Sequence, residues 1–444
     1  MRIAIIGTGY VGLVSGTCFS EFGHEVVCVD ADISKIELLN QNIMPIYEPG
    51  LEDLVSKNKL AGRLSFTSDL KSALTGAEAV FIAVGTPSRH GESHADLSYV
   101  FQVAKDIAPL LQENAVIVTK STVPVGTNRK IKQLIENDRP NLKFHIVSNP
   151  EFLREGAAIA DFMRPDRIVI GHESEYAKDI MAKLYRPLYL IETPIIFTSL
   201  ESSELAKYAS NSFLATKITF MNEMSNLCEQ VGADIHDVAK VMGLDGRIGK
   251  KFLHPSPGFG GSCFPKDLRA LLAIGDDHNI DIQILKAVVR VNEERKIDMV
   301  TRIIQKMGDI KGKIIGVLGL TFKPNTDDIR ESASLVIIPI LLELGAYVKA
   351  YDPQGMLEAA QQLPDIMCVD NPYKLAENAD ALVVLTEWNE FRALDLKKIK
   401  KQMADSYLFD FRNIYNPKEA CALGFDYVSL GRNSTLPLKN AMAA

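Results

Sequence analysis

The chain of 444 residues contains a single tryptophan, and its six cysteines (Cys18, Cys28, Cys228, Cys263, Cys368 and Cys421) form no CxxC pair. That scatter excludes a disulfide framework and fits a reducing compartment. No histidine stands at metal-ligand spacing from cysteine or acid partners, so no metal is expected. Long hydrophobic runs are missing as well: the longest, residues 335–344, is too short to span a bilayer and carries Pro339. The first strand candidate begins at residue 2, which leaves no room for a signal peptide, and a cytoplasmic protein is expected. Positive charge is in deficit: 49 Lys and Arg face 56 Asp and Glu, for a net charge of −7. No basic face for a nucleic-acid backbone is therefore expected. The remainder, 47% hydrophobic and 24% charged, is ordinary for soluble globular domains, and the length suggests about three of them.

The first thirty residues carry a nucleotide pattern. Residues 2–6 are a short apolar run, Gly7-Thr8-Gly9-Tyr10-Val11-Gly12 turns into a helical stretch, and a second strand candidate, residues 25–29, ends at Asp30. Strand, glycine turn, helix, strand and acid in register make a dinucleotide site. Amides at the helix start, around Gly7, Gly9, Tyr10, Val11 and Gly12, meet the pyrophosphate, and Asp30 meets the adenosine ribose. An acid at that point repels a 2′-phosphate, so NAD is expected rather than NADP.

Residues 258–267 read Gly-Phe-Gly-Gly-Ser-Cys-Phe-Pro-Lys-Asp. Pro265 is placed to open a helix over the following residues, and the glycine pair lets backbone amides approach a ligand. A thiol just ahead of a helix N-terminus, with Lys266 close by, is in surroundings that favour thiolate, although a free cysteine is more often a small buried hydrophobe.

From residue 1 to about 195, apolar strand candidates alternate with helical patterns. Three of them run into small polar residues: 79–84 into a loop with Thr86, 115–118 into a loop with Thr122, and 144–147 into Asn149-Pro150-Glu151. A parallel sheet presents its ligand-facing carboxyl edge in this way, though turn chemistry explains any one such loop as well. Residues 200–231 contain neither proline nor glycine and predict one long helix that joins two domains and packs against a second subunit. On it Lys207 and Asn211 share a face, with Leu214 and Ile218 continuing the stripe. Residues 232–262, glycine-rich, read as loop and turn. Strand candidates at 313–320, 346–351 and 381–385, with a helix at 332–344, predict a second doubly wound domain without a full GxGxxG. The fold class expected is α/β: two doubly wound Rossmann-like domains joined by a long central helix and a helical middle domain. The boundaries expected are 1–195 for the NAD-binding domain, 196–300 for the central and dimerisation domain with the cysteine loop, 301–432 for the second Rossmann-like domain, and 433–444 for a mobile tail.

A nicotinamide site combined with a reactive thiol is a specific pairing. Hydride loss from an alcohol needs no thiol, but an aldehyde goes on to an acid only after a nucleophile adds to its carbonyl. Cys263 supplies one, giving a thiohemiacetal, then a thioester, then a carboxylate: a four-electron dehydrogenase.

Across nearly the whole length, Gly7-Thr8-Gly9-Tyr10-Val11-Gly12, Lys120-Ser121-Thr122-Val123-Pro124-Val125-Gly126, Asn149 to Gly156, Glu204-Leu205-Ala206-Lys207-Tyr208 with Asn211, Phe259 to Asp267, Gly319 to Lys323 and Asp328 to Ser332 resemble the UDP-glucose/GDP-mannose dehydrogenase family. The wording of Phe259 to Asp267 and Arg247-Ile248-Gly249 resembles its UDP-glucose branch. The resemblance implies oxidation of UDP-glucose to UDP-glucuronate with two NAD and one water, a UDP-binding role for the domain at 301–432, and a homodimer or higher oligomer. It implies Cys263 as nucleophile, Lys207 and Asn211 at the oxyanions, Asp267 and Thr122 positioning water, and Glu151 assisting hydrolysis. Around NAD it implies Asp30, Lys35, Thr86, Thr122, Glu155, Lys266 and Arg330. Around the UDP-sugar it implies Glu151, Phe152, Leu153, Arg154, Lys207, Asn211, Phe252, Leu253, His254, Pro255, Ser256, Gly260 and Lys323, with Arg247 reaching the partner subunit's substrate. His254 departs from the lysine of some relatives. Lys35 and Lys323 also fit surface lysines, Arg330 also fits a local ion pair, and Arg412 is a further candidate substrate contact.

The same chemistry on GDP-mannose or a UDP-hexosamine is the nearest alternative. A two-electron dehydrogenase of the 6-phosphogluconate type has no use for Cys263, and a regulatory NAD-binding module has no need of Cys263, Lys207, Asn211 and Asp267 together.

Overall fold

The computed structural model describes residues 1–87 and 94–432, in two compact units: residues 1–210 with 269–281, and residues 211–268 with 282 onward. The tail expected to be mobile, 433–444, lies outside the described residues.

The first unit is built on an eight-stranded sheet of β1 (Arg2–Ile6), β2 (Glu25–Val29), β3 (Leu64–Thr67), β4 (Ala79–Ile82), β5 (Ala115–Thr119), β6 (Phe144–Ser148), β7 (Ile168–His172) and β8 (Ile195–Thr198), in the order β3-β2-β1-β4-β5-β6-β7-β8. The first six are parallel; β7 runs antiparallel to β6, and β8 is parallel to β7. The short apolar runs are strands buried on both faces, because successive side chains point to opposite sides. Ile3, Ile5 and Phe81 enter one core layer, whereas Ala4, Ile6, Val80 and Ile82 enter the other. The register aligns Ile6, Val29, Ile82, Thr119 and Ser148 in one row, so the turns after five strands leave the sheet along a single edge.

The second unit holds a six-stranded, all-parallel sheet of β9 (Ile314–Leu318), β10 (Tyr347–Tyr351), β11 (Met367–Cys368), β12 (Ala381–Val384), β13 (Tyr407–Asp410) and β14 (Asp426–Ser429), in the order β11-β10-β9-β12-β13-β14. This is the second doubly wound domain. It also repeats the first domain's turn: Gly319 follows β9 at φ +95°, and Asp352 follows β10. Asp352, however, is closed off. Its carboxylate takes the amides of Leu320, Thr321, Gln354 and Gly355, the Thr321 hydroxyl and the Trp388 indole.

Residues 200–231 form the long helix expected, Leu200–Val231. The stretch 232–262, expected as loop and turn, contains a helix, Ile235–Leu244. Asp234 caps it by accepting the His236 amide at 2.8 Å, and Ile235 and Ala239 pack against Cys228 and Leu253. Gly243 disguised that period. It lies inside the helix because a Cβ there meets the Lys250 Cα at 3.1 Å, a close-packing demand rather than a turn. Among the described residues, no helix is long and apolar enough to cross a membrane.

Candidate active site

The turn after β1 is shaped by its glycines. Gly7 has φ +101°, and a Cβ there meets the Ala83 carbonyl oxygen at 2.7 Å; a Cβ on Gly12 meets the Gly7 oxygen at 1.9 Å. Gly7 and Gly12 thus allow the turn and the close packing of helix Tyr10–Glu21 on the sheet. Gly9 is different, since a Cβ there meets nothing within 4 Å. It is the N-cap of that helix, with no side-chain cap and no acid in the first turn, so the helix amides and the positive end of the dipole face open space. Asp30, at the end of β2, accepts the Thr8 amide and hydroxyl, both at 2.7 Å, on one oxygen, and the Asp32 amide on the other while staying part-exposed. These residues fit a dinucleotide: an uncapped helix start for the diphosphate and an accessible acid one strand away.

Farther along the same edge, the Thr86 hydroxyl donates to the Thr122 carbonyl at 3.0 Å, joining the loops after β4 and β5. After β6, Glu151 is buried and bound by Lys207 Nζ at 2.9 Å, and Lys207 is 3% exposed. Lys207 is thus an ion-paired interior group. Arg154 is turned to Asp161 at 2.6 Å, Leu153 donates its amide to Glu151, and Glu155 is half-buried. Lys35 lies in the first turn of helix Ile33–Asn40, its amide on Asp32.

In the second unit Cys263 is half-buried and immediately precedes helix Phe264–Asp277, with Pro265 in its first turn. Cys18 and Cys28, by contrast, are core thiols that burial pushes up to about 12. The glycines before Cys263 have a packing duty that the motif alone does not disclose. A Cβ on Gly260 meets the Glu331 oxygen at 2.3 Å, and one on Gly261, at φ +84°, meets the Phe322 ring at 2.7 Å. The Gly261 amide donates to the Arg330 carbonyl at 2.8 Å. Asp267, 1% exposed, accepts Asn211 Nδ2 at 2.7 Å and Lys266 Nζ at 2.6 Å, so the Lys266 ammonium serves the carboxylate. Around the 252–256 stretch, Phe252 has φ +65°, Leu253, Pro255 and Ser256 are buried, and His254 is exposed. Lys323 lies over the Phe322 ring at 5.2 Å. Arg330 chelates Asp328 at 2.8 Å, the local ion pair weighed as its alternative use, and Arg412 pairs with Glu387. Arg247 stands apart on an exposed turn, held to Asp245 at 2.6 Å.

Residues 1–189 match the NAD binding domain of the UDP-glucose/GDP-mannose dehydrogenase family, residues 201–294 its central domain and residues 316–417 its UDP binding domain. The chain belongs to this family. NAD is its cofactor. It is 54% identical over 435 residues to a UDP-glucose 6-dehydrogenase of Rhizobium meliloti (strain 1021), covering 97% of this chain and 100% of the relative. It is 48% identical to UDP-glucose 6-dehydrogenase TuaD of Bacillus subtilis (strain 168), covering 97% and 93%. Among solved structures, a UDP-glucose dehydrogenase from the archaeon Pyrobaculum islandicum superposes with TM-score 0.89 at 38% identity, covering 96% of each chain.

Several residues that hold these family motifs in place gave no signal in the sequence. Asn292, 2% exposed, accepts the Phe259 amide at 2.8 Å and donates to the Phe259 carbonyl at 3.1 Å, pairing with the cysteine loop as a neighbouring strand does. Asn222 accepts the Ser256 amide at 2.7 Å, and Arg295 donates to the Ser256 carbonyl at 3.2 Å. In the first unit the buried Glu48 carboxylate takes the Tyr10 hydroxyl, the Gly156 amide at 2.6 Å and the Ala158 amide at 2.8 Å. Burial and the Glu48 carboxylate raise the Tyr10 phenol far above its ordinary range, so it remains a donor.

Proposed function

We propose that the protein oxidises UDP-glucose to UDP-glucuronate, with Cys263 carrying the sugar covalently between two oxidations. The observation that carries this reading is a half-buried thiol at a helix start, in a chain 54% identical over nearly its full length to a UDP-glucose 6-dehydrogenase. Gly7, Gly9, Tyr10, Val11, Gly12, Asp30, Lys35, Thr86, Thr122, Glu155, Lys266 and Arg330 hold NAD. When bound, it accepts a hydride from the substrate carbon in each of two oxidations. Lys207 and Asn211 stabilise the negative charge that develops on the substrate oxygen, by charge and by hydrogen bond. Cys263 adds to the aldehyde carbon, Asp267 and Thr122 orient water, and Glu151 takes its proton as the thioester is hydrolysed. Residues 252–256, Gly260 and Lys323 grip the UDP-sugar.

The division of labour follows the regions 1–195, 196–300 and 301–432. The long helix presents Phe213, Phe220 and Leu227 at seven-residue intervals, all exposed, a stripe suited to a second copy of the chain. A dimer built on it brings the exposed Arg247 to the partner's substrate.

The test is stoichiometry. Each UDP-glucose consumed is expected to yield two NADH and one uronate with no aldehyde in solution, and semicarbazide should leave the flux nearly unchanged. One NADH per sugar, or aldehyde in quantity, refutes the mechanism. The same assay on GDP-mannose and UDP-hexosamines separates the nearest alternatives.

Asp30 carries a second prediction. Asp30→Ala removes the ribose acceptor and the repulsion of a 2′-phosphate, so the preference for NAD over NADP in kcat/KM should shrink by about tenfold or more. An unchanged ratio would reduce Asp30 to a turn residue.

A further inference from the structure

Two cations of the first unit have no role in the reaction as derived above, and both attach to the segment that carries Glu151. Lys120, just after β5, is 4% exposed and pairs with no carboxylate among the described residues. Its ammonium reaches the Asn149 carbonyl at 3.3 Å, Asn149 Oδ1 at 3.2 Å and the Tyr185 hydroxyl at 3.5 Å. A buried ammonium bonded only to neutral groups is expensive, and burial pushes Lys120 down to about 8, with Glu151 acting to raise it and Lys207 to lower it.

Arg167 lies flat against Phe152, its guanidinium carbon 3.6 Å from the ring centroid, while Lys207 Nζ lies 5.3 Å from the same centroid. Arg167 is half-buried, no hydrogen bond ties its guanidinium to any described residue, and Glu151 is among the charges it feels. Stacking of this kind is a property of a planar guanidinium that an ammonium does not share. Residues 149, 151 and 152 are thus each held by a different cation: Lys120 on Asn149, Lys207 on Glu151 and Arg167 on Phe152.

We propose that Lys120 and Arg167 are positioning residues for the Lys207–Glu151 pair: Lys120 fixes the backbone before Glu151, Arg167 fixes the ring after it, and the carboxylate between them is held in the orientation that thioester hydrolysis requires. The inference rests on Glu151 as the hydrolytic base. Hydrolysis is the one step in which that carboxylate takes a proton from water, so loosening its segment slows this step more than the oxidations before it.

The experiment compares wild type with Lys120→Met and Arg167→Leu in rapid-mixing assays with UDP-glucose and NAD, with intact-mass measurement of the protein during turnover. Lys120→Met leaves the Tyr185 hydroxyl bonded to Asn149 Oδ1 at 2.6 Å, so the local fold retains a tie. Both variants should show a burst of two NADH per active site, kcat lowered about tenfold, KM for NAD unchanged, and an accumulating acyl adduct on Cys263. Arg167→Lys, which keeps charge without the stacking plane, should behave like Arg167→Leu. Combining Arg167→Leu with Phe152→Leu should cost no more than either change alone.

A variant with wild-type kcat, a fall in kcat without burst or adduct, or additive losses in the double variant would overturn the proposal. So would a rise in KM for NAD that accounts for the whole loss. Failure of the underlying reading is seen separately, as wild type releasing one NADH per sugar.

Discussion

Cys263→Ser is expected to lower uronate formation by on the order of 10³-fold or more while leaving NAD binding intact. A serine hydroxyl keeps its proton near neutral pH and is a far weaker nucleophile than a thiolate, so the aldehyde gains no covalent partner and cannot give up its second hydride. The first oxidation needs no thiol, so a single-hydride product or a trapped adduct should accumulate. NAD affinity should hold, because Cys263 is not among the residues that hold NAD. Uronate by chromatography, NADH by absorbance and NAD affinity by fluorescence decide the matter. Near-wild-type acid production would end the thioester mechanism.

Lys207→Ala should slow the oxidation by roughly 10²–10³-fold, the range for losing one preorganised donor at a developing oxyanion. It should also destabilise the fold. Glu151 is 5% exposed and loses its 2.9 Å partner, and stranding one member of a buried pair costs about 3–5 kcal/mol. A second variant keeps these effects apart. Lys207→Met combined with Glu151→Gln leaves no stranded charge and should recover most of the melting temperature, yet it should stay at least as slow, since the oxyanion still lacks its cation. Recovery of rate together with stability would show that Lys207 is only the structural counter-ion of Glu151.

What could be read from the chain was whatever depends on neighbours in sequence. Apolar runs of four or five residues became strands because both faces of a parallel sheet are covered, and Gly7 and Gly12 announced the turn because only glycine meets its conformational and steric demands. The helix after Cys263 was legible from Pro265, and the long helix from thirty-two residues without a breaker. Helix Ile235–Leu244 was not, because Gly243 serves a contact with Lys250 that no local rule registers.

The rest was decided by side chains meeting across the fold. Lys207 and Asn211 are one turn apart on a helix, yet each finds its carboxylate 56 positions away, in Glu151 and Asp267. A sequence can name a lysine and an acid, but their pairing depends on which strand edge and which helix face the backbone brings together. Gly260 and Gly261 carry the same lesson: their spacing marks a thiol loop, and only the chain path shows that Glu331 and Phe322 occupy the space a side chain would need. Asp30 and Asp352 follow second strands alike; six donors including the Trp388 indole enclose one, and the other stays part-exposed, because access to a carboxylate is set by what the surrounding loops pack against it.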